Sequence, residues 1–142
     1  MPRIEIGPFG TDQAQLYRLS NQAGMVVTLT NFGARIVEIL LPVDGQLRSV
    51  SLAAQSDEDY LEKDAYVGST VAPVAGRISG AATKIKGQLV HFTENEPGRT
   101  LHSGDKASNQ QCWQASMDEA ANQVSLSLVL PYGYNGFPGP VT

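Results

Sequence analysis

The sequence predicts an all-β protein built as an antiparallel sandwich or barrel, and three observations predict it. Residues 124–130 place a large aliphatic side chain at every second position, from Val124 through Leu126 and Leu128 to Leu130, with mostly small polar residues between. Residues 25–30 are rich in β-branched side chains and lead through Asn31, Phe32 and Gly33 into residues 35–41, which are apolar on both faces. Apart from residues 56–62, no stretch repeats its apolar residues at helical spacing.

Taken in order, residues 15–19 open the sheet, and residues 25–30 with 35–41 form a hairpin that has one well-buried arm. Residues 49–52 add a short strand. Residues 56–62 form one or two helical turns. Ser56 can cap the first of them, and Asp57, Glu58 and Asp59 favour the positive end of the helix dipole. Residues 83–86 and 88–92 flank Gly87, which tolerates the positive φ of a tight connection, and make a second hairpin. Residues 112–117 and 124–130 complete the strands, with 14 Gly and 8 Pro supplying turns between them.

The length of 142 residues suits one ordinary domain, and 10 basic against 14 acidic side chains, a net charge of −4, argue against a nucleic-acid partner. No run approaches the roughly 18 uninterrupted apolar residues of a bilayer span, and the first ten residues lack the apolar centre of a secretory signal. A cytoplasmic protein without a membrane partner is the expectation. Cys112 stands alone, so it closes no internal disulfide, and with no Cys or His at ligand spacing it implies no metal; it reads as a small buried hydrophobe in a strand.

A succession of unusual segments then narrows the reading. Asn31-Phe32-Gly33-Ala34 leads a strand; Asp59-Tyr60-Leu61-Glu62 precedes Tyr66-Val67-Gly68-Ser69-Thr70-Val71; next come Ala75-Gly76-Arg77-Ile78-Ser79-Gly80, Leu101-His102-Ser103-Gly104 and Gly136-Phe137-Pro138-Gly139. In this order they resemble the aldose 1-epimerases, or galactose mutarotases. The resemblance implies a large antiparallel β-sandwich that interconverts the α and β anomers of free aldohexoses of the galactose or glucose class, without metal or organic cofactor. It makes Arg77 the substrate-binding arginine that hydrogen-bonds sugar hydroxyls. It makes His102 the catalytic histidine beside the pyranose ring. Arg77 and His102 are then expected to converge on one concave wall.

Two positions depart from the family pattern. Gly76 stands where the family has asparagine, and Ser103 where it has glycine. The family's second active-site histidine, its sugar-binding aspartate and its glutamate base belong to the later half of the fold. Residues 1–142 therefore read as the N-terminal portion of a single galactose mutarotase-like sandwich domain, apparently incomplete, with the base beyond residue 142 and a homodimer as one way of completing the sheets.

Anomer exchange requires a proton to leave the C1 hydroxyl while the ring oxygen gains one, a task for one base and one acid. His102 fills at most one of these roles. The acids Asp57, Glu58, Asp59, Glu62, Glu94, Glu96, Asp118 and Glu119 read as solvated; Glu38 is the one whose apolar strand admits burial, with an edge position facing solvent the favoured reading. His91 reads as structural. Trp113 suits a core strand or a sugar stack, and Tyr132, Tyr134 and Phe137 suit either a binding platform or a loop anchor. Two other functions compete: a non-catalytic carbohydrate-binding protein on the same scaffold, and a hexose 6-phosphate epimerase. The second would want further arginines near Arg77, and Arg3, Arg18, Arg35, Arg48 and Arg99 show no clustering in sequence.

Overall fold

In the computed structural model, which describes residues 3–63 and 66–142, five consecutive strands lie side by side in the order they occur. They are β1 (Arg3–Phe9), β2 (Thr11–Ser20), β3 (Val26–Thr30), β4 (Arg35–Val43) and β5 (Gln46–Ser49), each antiparallel to the next. A helix, α1 (Asp57–Lys63), follows the sheet. Three two-stranded ribbons come after it: β6 (Arg77–Ser79) with β9 (Arg99–Leu101), β7 (Ala82–Ile85) with β8 (Gln88–His91), and β10 (Gln114–Asp118) with β11 (Gln123–Ser127). The all-β, antiparallel expectation holds. Among the described residues no helix is long and apolar enough to cross a membrane.

Local chemistry accounts for most of these boundaries. Lys86 and Gly87 both have positive φ, 49° and 82°, so β7 and β8 are joined by a two-residue turn whose twist suits a hairpin. Asp44 and Gly45 repeat the device between β4 and β5, at 49° and 77°. Ser56 caps α1 as its sequence suggests, its hydroxyl accepting the Asp59 N–H at 3.2 Å.

Four expectations need correction. Residues 15–19 do not open the sheet, because β1 precedes them; Gly7 and Pro8, which weaken a central strand, are tolerated at this edge. The strand expected at 49–52 lies earlier, since the turn at Asp44 and Gly45 sets its register and ends it at Ser49. Residues 35–41, apolar in sequence on both faces, are not buried on both: Arg35 and Val37 are buried, whereas Ile36 between them is 44% exposed. Finally, β11 stops at Ser127, and Leu130 instead bridges to Val141.

Phe9, Ala14, Phe32, Val37 and Tyr60 form the apolar centre between the sheet and α1. Two charged residues are buried beside it. Asp57, expected in solvent, is 3% exposed: it accepts the Thr11 N–H at 3.1 Å and the Thr11 hydroxyl at 2.6 Å, and its Oδ1 also accepts the Glu58 N–H at 3.0 Å. One carboxylate thus satisfies a free N–H in the first helical turn and pins the β1–β2 turn. Arg35 is fully buried, donating to the carbonyls of Phe32 (3.1 Å), Val67 (2.8 Å) and Asn109 (2.7 Å) with its guanidinium 4.3 Å from the Tyr60 ring centre. It ties the segments of Val67 and Asn109 to the β3–β4 turn.

That turn explains the segment Asn31-Phe32-Gly33-Ala34. The Asn31 amide accepts the Gln15 N–H at 2.7 Å and donates to Gln13 O at 3.0 Å, and its carbonyl accepts the Trp113 N–H at 2.9 Å. Gly33, at φ 72°, leaves the Asn109 carbonyl 2.5 Å from where a Cβ would stand. Only glycine fits there. These residues join the five-stranded sheet to the segments that carry the site.

Candidate active site

The β6–β9 ribbon brings the two sequence-predicted residues into one neighbourhood. Arg77 pairs with Leu101, so His102 directly follows the residue opposite Arg77. The chain ends of the ribbon are stitched twice: His102 N–H donates to Gly76 O at 2.9 Å, and Gly76 N–H donates to His102 Nδ1 at 3.1 Å. The second bond fixes the imidazole chemistry. A neutral ring whose Nδ1 accepts must carry its proton on Nε2, and no hydrogen bond among the described residues claims that Nε2. The Tyr66 ring lies 4.6 Å from the His102 ring, tilted by 51°, and supports its orientation.

The two departures from the family pattern fit this geometry. Gly76 has φ 82°, a conformation that a side chain would strain. His102 and Ser103 are themselves left-handed, at 48° and 70°. Ser103 is 2% exposed, and its hydroxyl both accepts the Val74 N–H at 2.8 Å and donates to Val74 O at 2.9 Å. A glycine could adopt this backbone without cost but would leave both groups of Val74 without that partner. The loop is held by further polar side chains. Asn95 accepts the Leu101 N–H at 2.6 Å and donates to Leu101 O at 2.9 Å. Asn135 donates to the carbonyls of Ser103 at 2.9 Å and Asp105 at 2.8 Å, and Ser108 links Ala72 N with Thr70 O, both at 2.8 Å.

Arg77 is half exposed and engaged. Its Nε and Nη2 donate to the two oxygens of Glu96 at 2.7 and 2.8 Å, a bidentate pair. Glu96 was not expected here: it reads as a solvated loop acid, yet its side chain is only 27% exposed and Arg99 Nε stands 3.6 Å from it as well. The Arg77 hydrogen bond, together with the charges of Arg77 and Arg99, holds the Glu96 carboxyl below the usual carboxylate range. The same contact raises Arg77. Arg99, unclustered in sequence, is therefore clustered with Arg77 in space. A legible signal existed: opposite charges at 96 and 99 flank Pro97 and Gly98, a pair suited to a turn that brings its flanks together.

The remaining candidates lie elsewhere. Glu38 is half-buried in a cross-strand row with Thr28, Arg18 and Glu5, and this row lines a cavity of about 460 Å³ to which neither Arg77 nor His102 contributes. His91 ends β8 and is exposed, so it is no core residue. Trp113 is half-buried, anchored by its indole N–H to Ser108 O at 2.9 Å, and precedes β10 instead of lying in it. Cys112 is half-buried at a bridge to Phe32, outside the strands, and burial pushes its thiol up. Phe137 anchors its loop on Phe92 at 4.5 Å between ring centres, Tyr134 donates to Lys106 O, and Tyr132 is 79% exposed.

The family model for aldose 1-epimerase matches residues 15–142, nearly the whole chain. The chain belongs to the aldose 1-epimerase family. Within this family it is 32% identical over 126 residues to the aldose 1-epimerase of Escherichia coli K12, covering 88% of this chain and 36% of that protein. It is 26% identical to the galactose mutarotase of Homo sapiens, covering 93% of this chain and 38% of that one. The crystal structure of galactose 1-epimerase from Lactobacillus acidophilus NCFM superposes with a TM-score of 0.80 at 26% identity, over 99% of this chain and 42% of that one. The chain thus spans between a third and a half of the length of these aldose 1-epimerase relatives, and its sandwich is incomplete.

Proposed function

We propose that residues 1–142 supply the hexose-holding wall of an aldose 1-epimerase, with Arg77 donating to sugar hydroxyls and His102 acting on the pyranose. The observation that supports this reading is the stitch between Gly76 and His102, which ties the imidazole to the residue before Arg77 and leaves its proton on Nε2.

In anomer exchange a base takes the C1 hydroxyl proton, the bond between C1 and the ring oxygen breaks as that oxygen is protonated, and an aldehyde forms. Rotation about C1–C2 and reclosure invert the anomer. An imidazole carrying its proton on Nε2 donates a hydrogen bond and cannot take the C1 proton through that atom. In this reading His102 polarises the sugar and another group is the base, which the family pattern puts in the later half of the fold. Arg77 keeps one nitrogen, Nη1, that its bidentate contact with Glu96 does not use.

The test is a titration of the 142-residue chain with D-galactose, followed by NMR at the His102 ring and by polarimetry of freshly dissolved α-D-galactose. The expected outcome is a saturable shift of the His102 ring signals that Arg77→Ala weakens at least about tenfold, the worth of one charge-assisted hydrogen bond. Mutarotation above the buffer rate is not expected. Rapid protein-dependent relaxation would place the base among these residues after all. Absence of any response to galactose or glucose would remove the sugar-binding reading.

A further inference from the structure

The contact between Arg77 and Glu96 deepens the proposed function by naming which sugars the site refuses. Two arginines, Arg77 and Arg99, approach one carboxylate, that of Glu96. Two guanidinium groups a few ångströms apart would otherwise be a ready site for a phosphate, since a planar fork of N–H donors matches phosphate oxygens two at a time. In this chain the fork of Arg77 is already filled, Nε and Nη2 each holding one oxygen of Glu96.

The carboxylate is built into place. Glu96 N–H and C=O pair with the backbone of Arg99 at 3.3 and 3.0 Å, closing a turn over Pro97 and Gly98. Asn95, the adjoining residue, is locked to the Leu101 backbone by two hydrogen bonds of 2.6 and 2.9 Å, and Glu94 accepts the Gly98 N–H at 3.1 Å. The loop therefore presents Glu96 to Arg77 without needing the ion pair to hold its own shape. A surface ion pair on mobile side chains contributes little; a carboxylate on a fixed turn can exclude an anion.

We propose that Glu96 is a specificity-determining residue: by occupying the anion-binding fork of Arg77 it restricts the site to uncharged hexoses and rejects their phosphate esters. This rests on the sugar-binding reading above. A phosphate approaching Arg77 must displace a bidentate carboxylate and then sit against its negative charge. A sugar hydroxyl asks only for a donor that Glu96 leaves available. Such rejection by an in-place like charge is the repulsive half of selectivity.

The experiment uses the full 142-residue chain and its Glu96→Gln and Glu96→Asp variants, read at the Arg77 side-chain Nε–H signal in ¹⁵N NMR. Three probes are added separately: inorganic phosphate, D-galactose and D-galactose 6-phosphate. With inorganic phosphate, no saturable shift is expected in the unaltered chain and a clear one in E96Q, while E96D, which keeps the charge, excludes phosphate as the parent does. Galactose 6-phosphate is expected to gain at least about tenfold in affinity over galactose in E96Q, the scale of one charge-assisted pair.

Equal phosphate responses in parent and E96Q, or an unchanged preference between the two sugars, would overturn the inference and leave the sugar reading standing. A parent that ignores galactose while the phosphate arm behaves as expected would overturn the sugar reading and leave the role of Glu96 as an anion excluder. If E96Q does not fold, acid titration of the unaltered chain decides: the Nε–H signal must leave its paired position as Glu96 is protonated, below the usual carboxylate range. A signal that never moves would sink the proposal.

Discussion

The five-stranded sheet and the β6–β9 ribbon are held together by different means. In the sheet, strands of up to ten residues pair along their length, and apolar side chains from β1, the β3–β4 turn, β4 and α1 meet in one cluster. In the ribbon the strands are three residues long, and the loops around them are fixed by buried or half-buried Ser103, Ser108, Asn95 and Asn135, each bonded to backbone groups far away in the chain or across a turn. Apolar burial is non-directional and builds a scaffold tolerant of shape. Hydrogen bonds from short polar side chains fix orientation, which a site needs and a scaffold does not.

The largest break in this contrast is expected at Phe9, which is 3% exposed. Phe9→Ala should cost about 3–5 kcal/mol, the usual loss for a buried phenylalanine, and urea unfolding should register it as a lower midpoint for the whole chain. Ser103→Ala tests the other region. It strips Val74 of two hydrogen bonds and should cost about 1–3 kcal/mol, with the His102 ring signals shifting while amides of β1–β5 stay in place. If the sheet amides move as much as the ring, the two regions are one cooperative unit and the contrast fails.

The smallest effect is electrostatic. Asp59 is held below the ordinary carboxylate range chiefly by its hydrogen bond from Lys63, whose ammonium stands 2.7 Å away. A carboxyl lowered in the folded state adds stability above its ordinary pKa, and that contribution is lost as pH falls through the lowered value. Carboxyl NMR should therefore show Asp59 and Glu96 titrating below a free carboxylate. Lys63→Ala should return Asp59 toward the ordinary range without touching Glu96.

Legibility in the sequence followed the same division. The β7–β8 hairpin was readable because Gly87 meets a local demand, and the cap at Ser56 because capping involves only the next few residues. The Asp44-Gly45 turn was equally local, and weighing it would have placed β5 correctly. Arg35 and Asp57 were not readable as buried, since a lone charge in a sequence reads as solvent-exposed unless its distant partners are known. In the site, Arg77 and His102 were found through their resemblance to family segments, whereas Glu96 depended on a pairing that only the folded turn creates. Several of the segments carrying that resemblance turn out to serve the scaffold: Asn31 and Gly33 join the sheet to its neighbours, and Tyr60 packs in the core.

The strictly sequential order of β1–β5 has a consequence for how the protein comes into being. Connections between successive strands run from one residue, Gly10, to five, residues 21–25. A hairpin closes in about 1–10 μs, whereas a ribosome adds only about 5–20 residues per second. Each new strand thus has ample time to settle on its predecessor before the next is synthesised. The β6–β9 ribbon must wait for some twenty intervening residues to arrive, so the sheet is already in place when the ribbon closes.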